Sequence, residues 1–187
     1  MKQIKSLFLL GLCFLAVFSL FDCLAQKASS GKATVVYVVR HAEKAASNGT
    51  MTDDPALSEA GRKRAEVLRD KLAKSPIAAL LATKYQRTQQ TLQPLAQAKN
   101  LTVQTYNPTD FLGLAQNIRE NYKGKTVVIA GHSNTVLSVV EALGGKRPFN
   151  EVADYQYDQL FKVTLRDGKD TQVEVQQYGE PSVAPAK

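Results

Sequence analysis

The chain contains only two histidines, and each follows an apolar run that is typical of a buried strand. The first run ends in Arg40-His41, and the second ends in Gly131-His132. A third apolar run leads into a polar segment that contains Arg87. A neutral imidazole is a usable nucleophile near pH 7, and a guanidinium can hold two phosphate oxygens at once. Phosphoryl transfer needs mainly positioning and charge stabilisation, so these histidines and arginines are suited to it without a metal ion.

Such side chains can meet only if the strands that carry them lie side by side in one sheet. Apolar runs predict strands over residues 33–39, 77–83, 101–106, 126–130, 160–165 and 171–177. Helical periodicity predicts helices from Ser58 to about Lys74, from Gln86 with a kink or an end at Pro94, from Phe111, and from Val136 to Gly144. This alternation favours an α/β domain, a three-layer α/β/α sandwich with a mostly parallel sheet. Sites in such sheets lie at the carboxyl ends of the strands, which is where both histidines fall.

Four segments resemble, in order, the motifs of the histidine phosphatase superfamily, which is also called phosphoglycerate mutase-like. The segment from Arg40 to Glu43 resembles the RHG signature, and residues 57–61 (LSEAG) resemble the L-[ST]-x-x-G helix start. Residues 83–91 (TKYQRTQQT) resemble S-x-x-x-R-[AT]-x-Q-T, and residues 131–134 (GHSN) resemble the GHS motif. The resemblance runs from about residue 35 to 140 and implies a phosphoglycerate mutase-like fold.

The resemblance also implies a role for each matching residue. His41 would be the nucleophile that forms a phosphohistidine, and Arg40, Arg87 and His132 would hold the phosphate. His132 would also take part in catalysis. No cofactor and no metal ion are expected.

The chain departs from the family pattern at two places. Ala42 stands where the family usually has Gly, and Ser47 stands where it often has Asn, so Asn48, one residue later, is the candidate contact to the phosphate. Mutase-type members have longer insertions than this chain, which favours a small phosphatase over a phosphoglycerate mutase-type phosphotransferase. A catalytically silent phospho-ligand-binding protein on the same fold is the other alternative.

A carboxylic acid should protonate the leaving oxygen, because an alkoxide is a poor leaving group at pH 7. Asp110 lies 23 residues after Arg87, about where phosphatases of this family carry a catalytic carboxylate. Glu43, two residues after His41, is the alternative acid and a candidate substrate contact. Asp110 also fits a helix N-cap, and Glu43 also fits a partner that orients an arginine. We expect Asp110 to be the acid, because it can face the leaving group opposite the imidazole.

Other hydrolytic chemistries lack their characteristic residues in this chain. There is no G-x-S-x-G, P-loop or G-x-G-x-x-G motif. Asp53-Asp54 is the only acidic pair in an expected loop, and we interpret it as a solvated turn rather than a metal site.

The N-terminus has the pattern of an export signal. Lys2 and Lys5 precede an apolar stretch of 15 residues, residues 7–21, which is shorter than the ~20 residues of a membrane-spanning helix. We predict cleavage after Ala25 and a periplasmic or secreted protein; a lipid anchor at Cys23 and an uncleaved membrane anchor are the alternatives. Residues 26–32 are then a linker, 33–178 the phosphatase domain, and 179–187 a flexible tail. Both cysteines precede the predicted cleavage site, so the mature chain would have no disulfide.

The mature chain would keep a basic balance. The full chain has a formal net charge of +7, and removal of Lys2, Lys5 and Asp22 leaves 22 Lys and Arg against 16 Asp and Glu, a net charge of +6. The basic residues are not interleaved with aromatic residues, which argues against nucleic-acid binding. We expect a phosphorylated small molecule or phospho-glycan as substrate, with specificity set by residues 45–55, 107–112 and 146–158, and no stable membrane insertion after cleavage.

Overall fold

A six-stranded sheet lies at the centre of the part of the chain that the computed structural model describes, residues 31–46, 49 and 54–186. Its strands are β1 (Thr34–Arg40), β2 (Ile77–Ala82), β3 (Val103–Thr105), β4 (Thr126–Gly131), β5 (Gln159–Leu165) and β6 (Gln172–Gln177). The helices of this part are α1 (Glu59–Lys71), α2 (Gln86–Lys99), α3 (Phe111–Asn121) and α4 (Val136–Ala142). Every predicted strand and helix is present, with ends that differ from the prediction by a few residues. The first helix, for example, ends at Lys71 rather than near Lys74.

The strand order is β3-β2-β4-β1-β5-β6. The strands β3, β2, β4 and β1 pair in parallel, whereas β5 pairs antiparallel with both β1 and β6. The predicted α/β fold with a mostly parallel sheet is therefore confirmed. In the register of β1 and β4, Arg40 is aligned with Gly131. Because both strands end there and run in the same direction, His41 and His132 follow at the same edge of the sheet.

Two helical layers cover the sheet, one on each face. Buried side chains of α3 and α4 pack with Val36 and Val38 of β1, whereas buried side chains of α1 and α2 pack in a second cluster with Val39. Successive residues of a strand point to opposite faces, so β1 contributes to both clusters. The mostly apolar sequences of β1 and β4 fit strands covered on both sides, and β4 is buried throughout.

The second helix differs from one part of the prediction, because it does not end at Pro94. It continues to Lys99, although a proline cannot donate the backbone hydrogen bond that the carbonyl of Gln90 would accept. That loss costs about 3 kcal/mol in a helix interior. Leu92 and Leu95 are both fully buried on the sheet, and each contributes about 1.5–3 kcal/mol. Packing of this helix face therefore offsets the cost of the proline.

The start of α1 is fixed to the loop that follows His41. The Ser58 hydroxyl accepts a hydrogen bond from the Gly61 amide at 3.1 Å, and the Ser58 amide donates to the Glu43 carbonyl at 2.9 Å. A Cβ at Gly61 would collide with that same carbonyl oxygen. Glycine is therefore required here by close backbone approach, which explains the spacing of the LSEAG segment.

The C-terminal segment, which we define as residues 178–182, is bound to the domain. Arg64 donates hydrogen bonds to the carbonyls of Tyr178 at 2.8 Å and Glu180 at 2.9 Å. Gly179 has a φ of +69°, and a Cβ there would lie 2.8 Å from Arg64 Nη1. The Ser182 hydroxyl accepts a hydrogen bond from the Tyr157 amide at 2.8 Å. The tail predicted from residue 179 is thus tied to the domain as far as Ser182, because Arg64 and Tyr157 supply donors that the sequence pattern does not reveal.

Several predicted features lie outside the described residues. They are the signal peptide of residues 1–25 with Cys13 and Cys23, most of the linker, and the candidate contact Asn48. Within the described ranges, no helix is both long and apolar enough to cross a membrane.

Candidate active site

A pocket of about 400 Å³ opens at the carboxyl ends of β1, β2 and β4. Four predicted site residues line it together: Arg40, His41, Arg87 and His132. The remaining lining residues are Lys44, Tyr85, Pro108, Thr109, Ser133, Asn134, Thr135 and Asp154. The topology therefore brings both histidines and both arginines to one cavity, as the strand-end rule predicts.

The two imidazoles lie edge to face, with ring centroids 5.4 Å apart. The backbone of β1 and β4 sets this distance, since the His41 amide donates to the Gly131 carbonyl at 2.8 Å just beyond the last strand pair. Tyr85 also packs edge to face with His132, with ring centroids 5.3 Å apart. The relative position of the histidines is thus set by sheet register and by packing.

His41 has the protonation pattern of a nucleophile. Its Nδ1 lies 2.8 Å from the Ala42 carbonyl oxygen, which can only accept, so Nδ1 carries the proton and Nε2 keeps its lone pair. The residue is only 4% exposed. Burial lowers the pKa of His41 to about 3, against the hydrogen bond to Ala42, and the charge of Arg40 acts in the same direction as burial. The imidazole is therefore neutral at pH 7.

His132 is also neutral, and it is held by a threonine. Its Nε2 lies 3.0 Å from the hydroxyl of Thr83, the residue that follows β2, and this hydroxyl lies 2.8 Å from that of Thr88. Burial lowers the pKa of His132 to about 4, and the charges of Arg87 and Arg40 add to this effect. Thr83 lies in the TKYQRTQQT segment, but the sequence analysis assigned it no role.

Arg40 is held by a loop far away in sequence. Its Nη1 donates to the carbonyls of Ala153 at 2.9 Å, Asp154 at 2.8 Å and Gln156 at 3.1 Å. The guanidinium carbon lies 4.2 Å from the ring centroid of Tyr157. Burial lowers the pKa of Arg40 from its ordinary value, and its Nε is buried without a hydrogen-bond partner among the described residues. The guanidinium is fixed through Nη1, whereas Nη2 makes only longer contacts, 3.5 Å to the Tyr157 hydroxyl and 3.7 Å to Asp154 Oδ1, so Nη2 keeps donor capacity for an anion.

Arg87 is oriented by two neighbours. Its guanidinium carbon lies 4.5 Å from the ring centroid of Tyr85, and its Nη1 lies 3.3 Å from Asp54 Oδ1. Asp54 also accepts from the Gln86 amide at 3.0 Å, at the start of α2. Asp54 is therefore a partner of the site rather than the solvated turn that the sequence suggested, whereas Asp53 lies outside the described residues.

The two predicted acids are engaged elsewhere. Glu43 binds Arg64 through both carboxylate oxygens, at 2.8–3.0 Å, and Asp110 accepts from the Gly113 amide at 2.8 Å as the N-cap of α3. Neither is among the residues that line the pocket. Glu43 is thus the partner of an arginine, and Asp110 is a helix N-cap. These are the alternative roles that the sequence offered for them.

Asp154 is the carboxylate among the pocket-lining residues. Its side chain is 97% exposed, and its Oδ1 lies 3.7 Å from Arg40 Nη2 and 3.5 Å from the Ser133 hydroxyl. The sequence analysis included it only within a loop expected to set specificity. Tyr157 was likewise included only within that loop, and Lys44 was given no role, because loop residues follow no periodic pattern.

Metal-binding groups were also sought among the described residues. No three or more His, Cys, Asp or Glu side chains of residues 31–46, 49 and 54–186 lie close enough together to hold a metal ion. The metal-independent mechanism remains a prediction from the sequence.

Comparison with known families identifies the first part of the domain. Residues 36–107 match the family model described as the histidine phosphatase superfamily (branch 1). This range includes Arg40, His41 and Arg87, and it ends before His132. The match confirms the resemblance that the motifs indicate. No curated protein sequence matches the chain at a significant level.

Solved structures extend the likeness to most of the chain. The mycobacterial glucosyl-3-phosphoglycerate phosphatase Rv2419c is similar with a TM-score of 0.63 at 14% identity, over 79% of this chain and 100% of that chain. The protein histidine phosphatase SixA, solved with tungstate, gives 0.61 at 18% identity, over 77% and 96%. Mycobacterial hydrolase 2 gives 0.58 at 13% identity, over 83% and 94%. At these identities the likeness establishes the phosphoglycerate mutase-like fold and nothing finer.

Proposed function

We propose that this protein is a member of the histidine phosphatase superfamily and a metal-independent phosphomonoester phosphatase that acts through a phosphohistidine on His41. The family match over residues 36–107 and the fold support this proposal. The observation that carries the proposal is the state of His41. It is neutral, its Nδ1 is the hydrogen-bond donor, and it lines a pocket shared with two arginines. Such a group can attack a phosphorus atom without first losing a proton.

In the proposed reaction, Nε2 of His41 attacks the phosphorus and the bond to the leaving oxygen breaks. Arg40, Arg87 and His132 hold the equatorial oxygens, whose charge they stabilise through the transition state. Water then attacks the phosphohistidine, which releases phosphate and restores the imidazole. The cationic side chains would supply the charge stabilisation that a metal ion supplies in other phosphatases.

The leaving oxygen needs a proton, and three carboxylates are candidates for supplying it. The sequence favours Asp110, with Glu43 as the alternative, but both are engaged in hydrogen bonds away from the pocket. Asp154 lines the pocket. We therefore take Asp154 as the best-placed donor, and Asp110 as the candidate to be tested beside it.

The substrate class follows from the charge of the pocket. Arg40, Arg87 and Lys44 make it strongly cationic, and Tyr85 offers an aromatic wall. A phosphorylated small molecule or a phospho-glycan fits these features. The similar structures named above include a glucosyl-3-phosphoglycerate phosphatase and a protein histidine phosphatase, so both kinds of substrate belong in a first screen. The export signal adds the proposal that the enzyme acts in the periplasm or outside the cell.

The test uses the purified protein and 4-nitrophenyl phosphate, with excess chelator throughout. Wild type should release nitrophenol and should incorporate acid-labile phosphate within one turnover, whereas His41→Ala should do neither and should keep its melting temperature. Lys71→Gln, which removes an exposed charge at the end of α1, is the control and should behave as wild type. Phosphate binding without turnover by wild type would indicate the catalytically silent alternative. Activity that is lost in chelator and returns when Mg²⁺ or Zn²⁺ is added in excess over the chelator would contradict the proposed mechanism.

A further inference from the structure

A second cavity, of about 430 Å³, lies at the opposite end of the sheet. Lys32 and Thr34 line it at the start of β1, Lys123 lines it shortly before β4, and Leu165 lines it at the end of β5. The strand β1 has 7 residues, so the cavity and the active site are separated by about 20 Å along the sheet. This cavity is therefore distinct from the site described above.

Basic side chains dominate the wall of this cavity. Lys32, Arg119, Lys123, Arg166 and Lys169 line it together with one carboxylate, Asp167, which gives the wall a formal charge of +4. These residues come from the start of β1, the end of α3, the approach to β4 and the turn between β5 and β6. Segments distant in sequence thus place much of the chain's excess positive charge around one concavity.

Most of these cations lack an acidic partner. Lys123 pairs with Asp167 at 2.8 Å, and Arg166 donates to the side chain of Gln172 at 3.1 Å. Within residues 31–46, 49 and 54–186, no carboxylate lies within 4.0 Å of a charged nitrogen of Lys32, Arg119, Arg166 or Lys169. Like charges around a cavity repel one another, and an anion bound between them relieves that repulsion.

The lining also indicates the chemistry of the ligand. Only Leu165 is apolar, whereas the hydroxyls of Thr34 and Thr171 add polar groups to the lysines and arginines. Arginine forks match phosphate oxygens, and lysine supplies compact point charges. A single phosphate carries a charge of about −2 at most, which does not balance the formal positive charge of the cavity wall. Two or more phosphate groups held close together would balance it.

We propose that this basic cavity, formed by Lys32, Arg119, Lys123, Arg166 and Lys169, is a second anion site that binds a ligand with clustered phosphate groups. The clustered phosphates come either from a soluble polyphosphate or from the headgroups of an anionic lipid surface. The proposal does not depend on the phosphatase activity, because none of these residues lines the active-site pocket.

The experiment measures binding of inorganic triphosphate to the purified full protein by titration calorimetry at low salt. The double variant Arg166→Gln/Lys169→Gln should bind triphosphate about tenfold or more weakly, since two charge-assisted contacts are lost. The double variant Lys71→Gln/Lys74→Gln removes the same charge near the end of α1 and should bind like wild type. Added salt should weaken wild-type binding, because the cavity is open to solvent. Both variants should hydrolyse 4-nitrophenyl phosphate with unchanged kcat and KM.

A second arm identifies the source of the phosphates. Wild type and both variants are sedimented with vesicles of phosphatidylglycerol in phosphatidylcholine. Triphosphate binding that depends on Arg166 and Lys169 supports a soluble polyphosphate, and vesicle binding with the same dependence supports lipid headgroups. The proposal is overturned if neither ligand binds, or if Arg166→Gln/Lys169→Gln binds as well as Lys71→Gln/Lys74→Gln.

Discussion

At the scale of single residues, the arginines of the candidate active site affect the protonation of both histidines. Arg40 and Arg87 lower the pKa of both imidazoles, next to the larger effect of burial, and so help to keep them neutral. A bound phosphate would cancel part of this positive field. The pKa of His132 should then rise, and the imidazole would become a better donor to the phosphate oxygens.

The neutral histidines predict how stability depends on pH. In the unfolded chain a histidine titrates near 6.5, whereas burial lowers the pKa of His41 to about 3 in the folded protein. The unfolded state therefore takes up a proton first, and stability present above pH 6.5 is lost as the pH falls. For His41 the loss between pH 7 and pH 5 is about 2 kcal/mol.

Urea unfolding at both pH values measures this loss. Between pH 7 and pH 5, the free energy of unfolding of His41→Asn should fall by about 2 kcal/mol less than that of wild type. Equal losses in the two proteins would mean that His41 titrates normally in the folded state.

A second residue-scale prediction concerns the general acid. Asp154→Asn should slow the hydrolysis of alkyl phosphates by ~10²-fold, the usual size of general-acid catalysis, and should slow 4-nitrophenyl phosphate much less. Asp110→Asn is a clean comparison, because asparagine caps a helix about as well as aspartate. Leaving-group dependence of kcat/KM in both variants is the measurement.

The outcomes separate the candidate acids. A selective loss in Asp110→Asn would restore the assignment that the sequence favoured, and one in Glu43→Gln would select that residue. If all three variants slow both substrates equally, the proton comes from water or from the substrate.

At the scale of elements, the sequence predicts the strands and helices that have a local pattern of apolar residues. Strands β1, β2 and β4 are recognisable because they are continuously apolar, and the strand-end rule then brings Arg40, His41 and His132 together. The hydrogen bonds from Arg40 to backbone carbonyls within residues 153–156 could not be predicted, because the backbone carbonyls of a loop have no signature in the sequence. The same holds for Arg64, which joins Glu43 to the C-terminal segment across the fold.

The C-terminal segment supports the active site from outside the pocket. The Glu180 carbonyl accepts a hydrogen bond from Arg64, which also binds Glu43, two residues after the proposed nucleophile. The Ser182 hydroxyl accepts from the amide of Tyr157, whose ring lies against the guanidinium of Arg40. Removal of residues 179–187 should therefore lower the free energy of unfolding by about 2–4 kcal/mol, since hydrogen bonds to a charged group are lost. It should also lower kcat/KM by about tenfold, since a shift of the groups under Arg40 misplaces its guanidinium.

The matched control is removal of residues 183–187 alone, which include the exposed Val183 and follow the bound part of the segment. This shorter truncation should leave stability and kcat/KM unchanged. If both truncations behave like the full chain, the segment has no positioning role.

At the scale of the whole molecule, the fold is retained although little of the sequence is. The mycobacterial phosphatase shares 14% identity with this chain, yet the two structures are similar along that protein's full length. A continuously apolar strand tolerates many exchanges among apolar residues of similar volume, so the pattern can persist while identities change.

The N-terminal prediction also belongs to the whole molecule. We expect the exported protein to begin at Gln26, and intact-mass spectrometry of the protein recovered from its cellular compartment measures this. A mass that includes a diacylated Cys23, or one that retains Met1, would contradict the predicted cleavage and favour an anchored protein.

The central position of β1 has a consequence for how the protein is made. The strand that leads into His41 is the first to be synthesised, but its neighbours in the sheet, β4 and β5, are among the later strands. The emerging chain therefore contains His41, the proposed nucleophile, long before the rest of the pocket has been synthesised. Strand pairings between residues distant in sequence form slowly, so we expect the pocket to assemble late in folding. A chain that ends before β4 contains His41 but lacks His132, so we expect it not to hydrolyse a phosphate ester. The proposed activity would therefore begin only after β4 has paired with β1 and His132 has followed it.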